Sequence, residues 1–173
     1  MYSLAEVFIN NGQVTQPNLI ASNGIVHGID MVLLPPGTIT EIVAESSILS
    51  VLNETIRVAG LGEALASPTL TAFAPTDQAF ANLALQNPVL LGYLLANDTQ
   101  AHADLQRVLK YHVVGSVRYA GSFQEGVTQL PTLEGSDLTI TNNGGQLKVK
   151  NADVIATNVL ASNGVAHVID AVS

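Results

Sequence analysis

The sequence predicts an α+β fold, and three observations lead there. Apolar residues at helical spacing fill the middle of the chain, from about residue 38 to residue 112. Alternating apolar and polar runs broken by turn residues fill the part from Val113 onward. Helices first and strands afterwards, within one domain's length, favour segregated layers over alternating βαβ units. The third observation is a repeat: Val14 to Val32 recurs as Val154 to Val172, with 10 of 19 aligned positions identical. Asn18, Ala21-Ser22-Asn23-Gly24, His27, Ile29 and Asp30 match Asn158, Ala161-Ser162-Asn163-Gly164, His167, Ile169 and Asp170. An offset of 140 residues is too long for a solenoid unit and fits a whole domain repeated in tandem. Residues 1–34 are therefore expected to be the C-terminal remnant of one repeat, and residues 35–173 a nearly complete second one.

The elements follow in order. Thr38 or Thr40 is placed to cap a first helix with Ile42 and Val43 apolar and Glu41 and Glu45 outward. A second helix is expected from Ser47, its stripe Ile48, Leu52, Ile56 and Ala59, ending at Gly60 or Gly62. Thr69 to Ala74 alternates with period two and stops at Pro75, which reads as a strand. Thr76 then caps a short helix through Asp77, Ala79, Phe80 and Leu83. Pro88 opens an apolar helix with Leu90, Leu91, Leu94 and Leu95, and Asp98 or Thr99 caps the next, buried along Leu105, Val108, Leu109 and His112. Leu138 to Thr141 and Leu147 to Lys150 are strands joined at Asn142-Asn143-Gly144-Gly145, a hairpin turn. Val154-Ile155, Val159-Leu160 and Val165 to Val172 complete the strands.

Composition excludes several functions. The chain is 47% hydrophobic, enough for a substantial core, and only 12% charged. Its net charge of −8 leaves six basic residues, scattered, so no stripe exists to neutralise phosphates and nucleic acid is not an expected partner. Cysteine is absent, which removes thiol catalysis, zinc ribbons and disulfides. The longest apolar run, Val89 to Ala96, is eight residues, too short to insert across a bilayer. Met1 to Glu6 has no signal-peptide pattern, so any signal or anchor is expected outside this fragment.

Three blocks in order resemble a known family. Thr71-Ala72-Phe73-Ala74-Pro75-Thr76-Asp77-Gln78-Ala79-Phe80 is similar to the first signature of fasciclin-like (FAS1) domains. Leu109-Lys110-Tyr111-His112-Val113-Val114 resembles their central Tyr-His block, and Asn163 to Asp170 their second signature. Asn23 to Asp30 repeats that second signature, followed by Val32-Leu33-Leu34-Pro35. The resemblance implies a wedge-shaped antiparallel β-sandwich with a helical layer packed on it. It also implies an extracellular, cell-surface or periplasmic location and a role in adhesion to a cell-surface or matrix protein. Some animal members carry a Glu-Pro-Asp-Ile-Met integrin motif before the second signature. Here Gln16 to Ile20 and Ala156 to Leu160 align with it, and Asn18 and Asn158 replace the carboxylate that an integrin's metal would need.

Candidate residues are few. The resemblance links Tyr111 and His112 to receptor contact, while an amphipathic Tyr and His at a helix end are also ordinary packing residues. Asn158 and Val159 are candidates because they occupy the integrin-motif positions. His167 and Asp170 lie three apart, which puts them on opposite faces of a strand, so no local dyad forms and His167 is expected to be a histidine hydrogen-bonded at a sheet edge. Asn97 begins the sequon Asn97-Asp98-Thr99 just before a helix cap and is the candidate glycosylation site; Asn53 falls inside a helix. No H-x-H, H-E-x-x-H, nucleophile elbow or phosphate-binding loop occurs, so no cofactor or metal is expected. The expected function is a non-catalytic adhesion and protein-interaction module, with a glycan- or apolar-ligand-binding module second and a hydrolase third. Residues 1–34 are further expected to dock by strand addition and to promote self-association.

Overall fold

The computed structural model describes residues 7–9, 12–94, 96 and 98–172. The chain divides into two compact units, Met1–Pro35 and Pro36–Ser173. The first is a three-stranded antiparallel sheet in the order β1 (Phe8–Ile9), β2 (Gly12–Ala21), β3 (Gly24–Ile29). The second opens with helices α1 (Ile39–Glu45), α2 (Ser50–Val58) and α3 (Gly62–Leu65), then strand β4 (Leu70–Pro75). Helices α4 (Asp77–Gln86), α5 (Pro88–Leu94) and α6 (Thr99–Tyr111) follow. Strands β5 (Val113–Val114), β6 (Gly126–Pro131), β7 (Asp137–Asn143), β8 (Gln146–Val149), β9 (Ala152–Ala161) and β10 (Gly164–Ile169) complete it.

Side-chain caps set most helix starts. Thr38 accepts the Glu41 N–H at 3.3 Å while the Glu41 carboxylate accepts the Thr38 N–H at 2.7 Å, a reciprocal capping box. Thr76 caps α4 through the Ala79 N–H, and Asp98 caps α6 through those of Gln100 and Ala101. Helix α2 departs from the expected start at Ser47. It begins at Ser50, and its buried first-turn neighbour is Leu49, with Ile48 exposed. No side chain before the helix serves its free N–H groups; Asp77, from α4, accepts the Val51 N–H at 2.8 Å and a hydrogen bond from the Ser50 hydroxyl. Gly60, at φ +65°, ends α2 in the left-handed conformation, and Gly62 starts α3. In α5, Leu94 is buried while Val89 and Leu90 are exposed. Leu95 lies outside the described residues.

The seven strands of the second unit form one sheet in the order β5-β4-β10-β9-β8-β7-β6. Every pairing is antiparallel except that of β10 with β4, which is parallel and joins the last strand to the first across the intervening helices. A bridge between Val114 and Thr132 links the β5 edge to the chain just beyond β6, so the sheet curls back on itself. The fold is α+β, with a curled sheet and a helical layer. Strand β4 is buried on both faces. Leu70, Ala72 and Ala74 pack under the helices with Leu52, Phe80, Leu105 and Leu109, whereas Phe73 packs inside the curl with Phe123, Leu138, Ile140 and Val149.

Candidate functional site

A cleft of about 440 Å³ opens between α5, α6 and the 132–136 turn. Helix α6 contributes Asp104, Arg107 and Tyr111, which recur at three- and four-residue spacing and so share one face. Tyr93 of α5 donates its hydroxyl proton to Asp104 at 2.8 Å, and that bond to a carboxylate holds the phenol above its usual range. Arg107 reaches Glu134 at 3.3 Å. The Ser136 hydroxyl, with Arg107 second, holds the Glu134 carboxyl below its usual range. Lys150 sits at φ +52° in the turn from β8 to β9 and places its ammonium 4.7 Å from the Tyr111 ring centroid, a cation–π contact. Tyr111 is half-buried and donates its hydroxyl proton to the Asp137 carbonyl at 3.3 Å.

The adjacent His112 turns the other way. It is buried beneath the helices, where Nδ1 lies 2.7 Å from the Val108 carbonyl one turn back. Burial pushes its imidazole below 6.5. Tyr111 and His112 are thus sequence neighbours on opposite sides of a helix end, one lining the cleft and the other in the core.

Asn158 and Val159 lie on β9, which contributes nothing to the cleft lining. Asn158 is exposed, adopts φ +57°, and its side-chain oxygen accepts the Ala120 N–H at 2.8 Å, anchoring the short 3₁₀ turn Ala120–Ser122. Val159 packs, half-buried, against the helical core. Asn97 lies outside the described residues.

His167 corrects the expectation of a histidine at a sheet edge. Strand β10 lies between β4 and β9, and His167 is fully buried. Nε2 lies 2.8 Å from the Arg118 carbonyl, and Nδ1 accepts the Asn158 N–H at 3.4 Å, which requires the neutral Nε2–H tautomer. The ring stacks on Phe73 at 5.5 Å and meets Phe123 edge-on at 6.2 Å. Burial lowers its pKa. Asp170 is not beside it; its carboxylate accepts the Asp153 N–H at 2.7 Å at the far end of the hairpin.

The residues that line the cleft alongside Tyr111 were not singled out in the sequence. The Asp104, Arg107, Tyr111 spacing was readable as a polar face of α6. Glu134 and Lys150 join it only through the β6–β7 and β8–β9 connections, which no local pattern announces.

Comparison with known proteins places this arrangement. The model of the fasciclin domain matches residues 3–35 and 47–172. The chain belongs to the fasciclin domain family. Protein sll1483 of Synechocystis is 40% identical over 136 residues, covering 78% of this chain and 72% of that relative. The fasciclin relative named transforming growth factor-beta-induced protein ig-h3, from Sus scrofa, is 31% identical over 152 residues; the match covers 86% of this chain and 21% of that protein. Among solved structures, the FAS1 domain pair of the insect cell adhesion molecule Fasciclin I superposes with a TM-score of 0.69 at 22% identity, covering 92% of this chain and 58% of that one. That likeness establishes a shared fasciclin fold. Among the described residues no helix is long and apolar enough to cross a membrane.

Proposed function

We propose that this chain is a non-catalytic adhesion and protein-interaction module that works outside the cell on a cell-surface or matrix protein. One observation carries the reading: both signature histidines, Asp170 and the nearby Asn158 are spent on the fold's own backbone. Nδ1 of His112, both nitrogens of His167, the Asn158 oxygen and the Asp170 carboxylate each meet a main-chain group of the same unit. Residues so engaged build a rigid scaffold and leave recognition to the surface. On that surface Tyr111 is the contact residue, backed by Lys150, while His112 fixes the helix end that presents it. Asn158 and Val159 form a second candidate contact on β9, and Asn97 is a candidate glycan acceptor outside the cell.

Residues 1–34 fit the end of a preceding repeat, and residues 35–173 the next copy, so that several weak contacts along an array would add by avidity. The outer edge of β3 carries no strand among the described residues, which supports self-association by strand addition. Light scattering on the full chain against residues 35–173 tests this across concentration. Monomers throughout, with rapid amide exchange over residues 1–34, would sink it.

Beads coated with the chain are expected to attach to cells or matrix, and Tyr111→Ala is expected to reduce attachment several-fold with the fold intact. A glycan- or apolar-ligand-binding role is the second reading, favoured by a cleft of about 440 Å³ with Tyr93 and Tyr111 on its walls. A glycan array that binds the chain specifically, with no attachment to protein surfaces, would replace the first reading by the second. Turnover in an esterase and glycosidase screen, abolished by His112→Gln or His167→Gln in a folded protein, would overturn both.

A further inference from the structure

The cleft between α5, α6 and the 132–136 turn carries charge of both signs, and the two signs are not equally engaged. Asp104 accepts the Tyr93 hydroxyl proton at 2.8 Å and a longer hydrogen bond from the Gln100 amide at 3.4 Å. Glu134 accepts the Ser136 hydroxyl proton and meets Arg107. Each carboxylate therefore has a neutral donor of its own. The cations differ. Arg107 reaches one oxygen of Glu134, at 3.3 and 3.4 Å, and its side chain is 71% exposed. Among the described residues no carboxylate pairs with Lys150, whose ammonium lies over the Tyr111 ring.

The backbone under Lys150 is a second observation. At φ +52° it occupies the left-handed region, where glycine and asparagine are the ordinary choices and a longer side chain is disfavoured. Gly144 and Gly145 meet the same demand in the β7–β8 turn. The Lys150 N–H donates to the Thr139 carbonyl at 2.9 Å, which holds the strained residue in place. Local turn chemistry does not call for lysine there; the placement of its ammonium does. Tyr111 follows Arg107 by one turn on the same face of α6, so the ammonium over Tyr111 is a neighbour of the guanidinium. Two of the chain's six basic residues thus meet in one cleft of a protein with net charge −8.

These contacts sort the ligands the cleft accepts. A cation would seek the Tyr111 ring, which Lys150 already covers. A neutral sugar would seek hydroxyl donors, yet Tyr93, Tyr111 and Ser136 already donate theirs to Asp104, the Asp137 carbonyl and Glu134. An anion finds the unused N–H groups of Lys150 and Arg107. A dianion such as a phosphate monoester is opposed by the two cleft carboxylates and by the protein's net charge, whereas one carboxylate is balanced by Lys150 alone. Leu90, Leu94 and Val108 line the same space and supply apolar surface. We propose that the cleft binds a small monocarboxylate with an apolar body, an aryl or medium-chain aliphatic acid. Lys150 and Arg107 hold its carboxylate, and Leu90, Leu94 and Val108 receive its body. The proposal rests on the second reading, that the cleft holds a ligand, and names the class of that ligand.

Amide NMR on the full chain, titrated with 4-phenylbutyrate, tests this. Saturable shifts are expected at residues 90–94, 104–111, 134–136 and 150. The neutral isostere 4-phenylbutyramide, and acetate, which lacks the apolar body, bind at least about tenfold more weakly. Lys150→Asn suits the left-handed turn and so keeps the fold, yet it lowers 4-phenylbutyrate affinity at least about tenfold, while Lys150→Arg retains binding. Arg107→Gln, an exposed change that spares the turn, weakens binding several-fold as well. Equal affinity for the acid and its amide overturns the carboxylate assignment and leaves the cleft a site for a neutral ligand. Unchanged affinity in a folded Lys150→Asn and in Arg107→Gln does the same. No shift with 4-phenylbutyrate or octanoate up to about 10 mM also overturns the proposal; specific binding on the glycan array would then keep the second reading without it. The bead-attachment assay uses the chain with no added acid and judges the adhesion reading separately.

Discussion

Asp170 shows how a carboxylate among aliphatic strand residues becomes structural. Its side chain accepts the Asp153 N–H while its own N–H donates to the Asp153 carbonyl at 3.1 Å, closing the open end of the β9–β10 hairpin. Asp170→Ala strands a partly buried N–H and is expected to cost about 1–3 kcal/mol, read from urea unfolding, with partner binding per folded molecule unchanged. Loss of binding at unchanged stability would move Asp170 from scaffold to contact. His112 and His167 make stability depend on pH. Burial lowers both below 6.5, so the unfolded chain takes up protons first as pH falls. Their contribution is complete above about pH 6.5 and is lost as pH falls through the lowered native pKa values. The lowered Glu41, Glu54 and Glu134 act in a separate window, below 4.5. Urea midpoints are expected to fall between about pH 7 and pH 5.5, with a shallower slope in a folded His167→Gln variant. A flat profile across that range would show that the two imidazoles titrate alike in both states.

At the scale of elements, α2 depends on a residue that belongs to α4. Asp77 reads in sequence as the acidic first residue of its own helix, and it is that. Its carboxylate nonetheless serves α2 through Val51 and Ser50, and its N–H donates to the Ile48 carbonyl at 2.9 Å. The fasciclin first signature therefore couples two helices as well as ending a strand. Asp77→Ala is expected to destabilise the protein by about 0.5–2 kcal/mol, as loss of a helix cap does, and to speed amide exchange in the first turn of α2. Thermal melts and exchange on that turn check it; unchanged exchange there would mean the cap is dispensable. The periodicity of α6 and the Asn-Asn-Gly-Gly turn were readable because each rests on neighbours a few residues away. The late start of α2 was not, because its cap comes from residue 77.

At the scale of the whole molecule, Phe73 and Phe80 divide the work of joining helices to sheet. Phe80 is buried under the helical layer, and Phe73, on the opposite face of β4, fills the curl of the sheet against His167. Truncating Phe80 to Ala is expected to cost about 3–5 kcal/mol, a large share of a domain's usual stability. A urea midpoint within error of wild type would place Phe80 outside the core. The sequence by itself determined the α+β class, the order of the longer helices and of the β4, β7, β8 and β10 strands, the hairpin repeat and the family, since each depends on local periodicity, turn chemistry or short motifs; α3 and β6 carried no such signal. Tertiary structure alone decided the parallel pairing of β10 with β4, the burial of His112 beside an accessible Tyr111, and the meeting of Arg107, Glu134 and Lys150 around one cleft. Those features join residues far apart in the chain, and the pattern along a strand or helix says which face is apolar, not what will cover it.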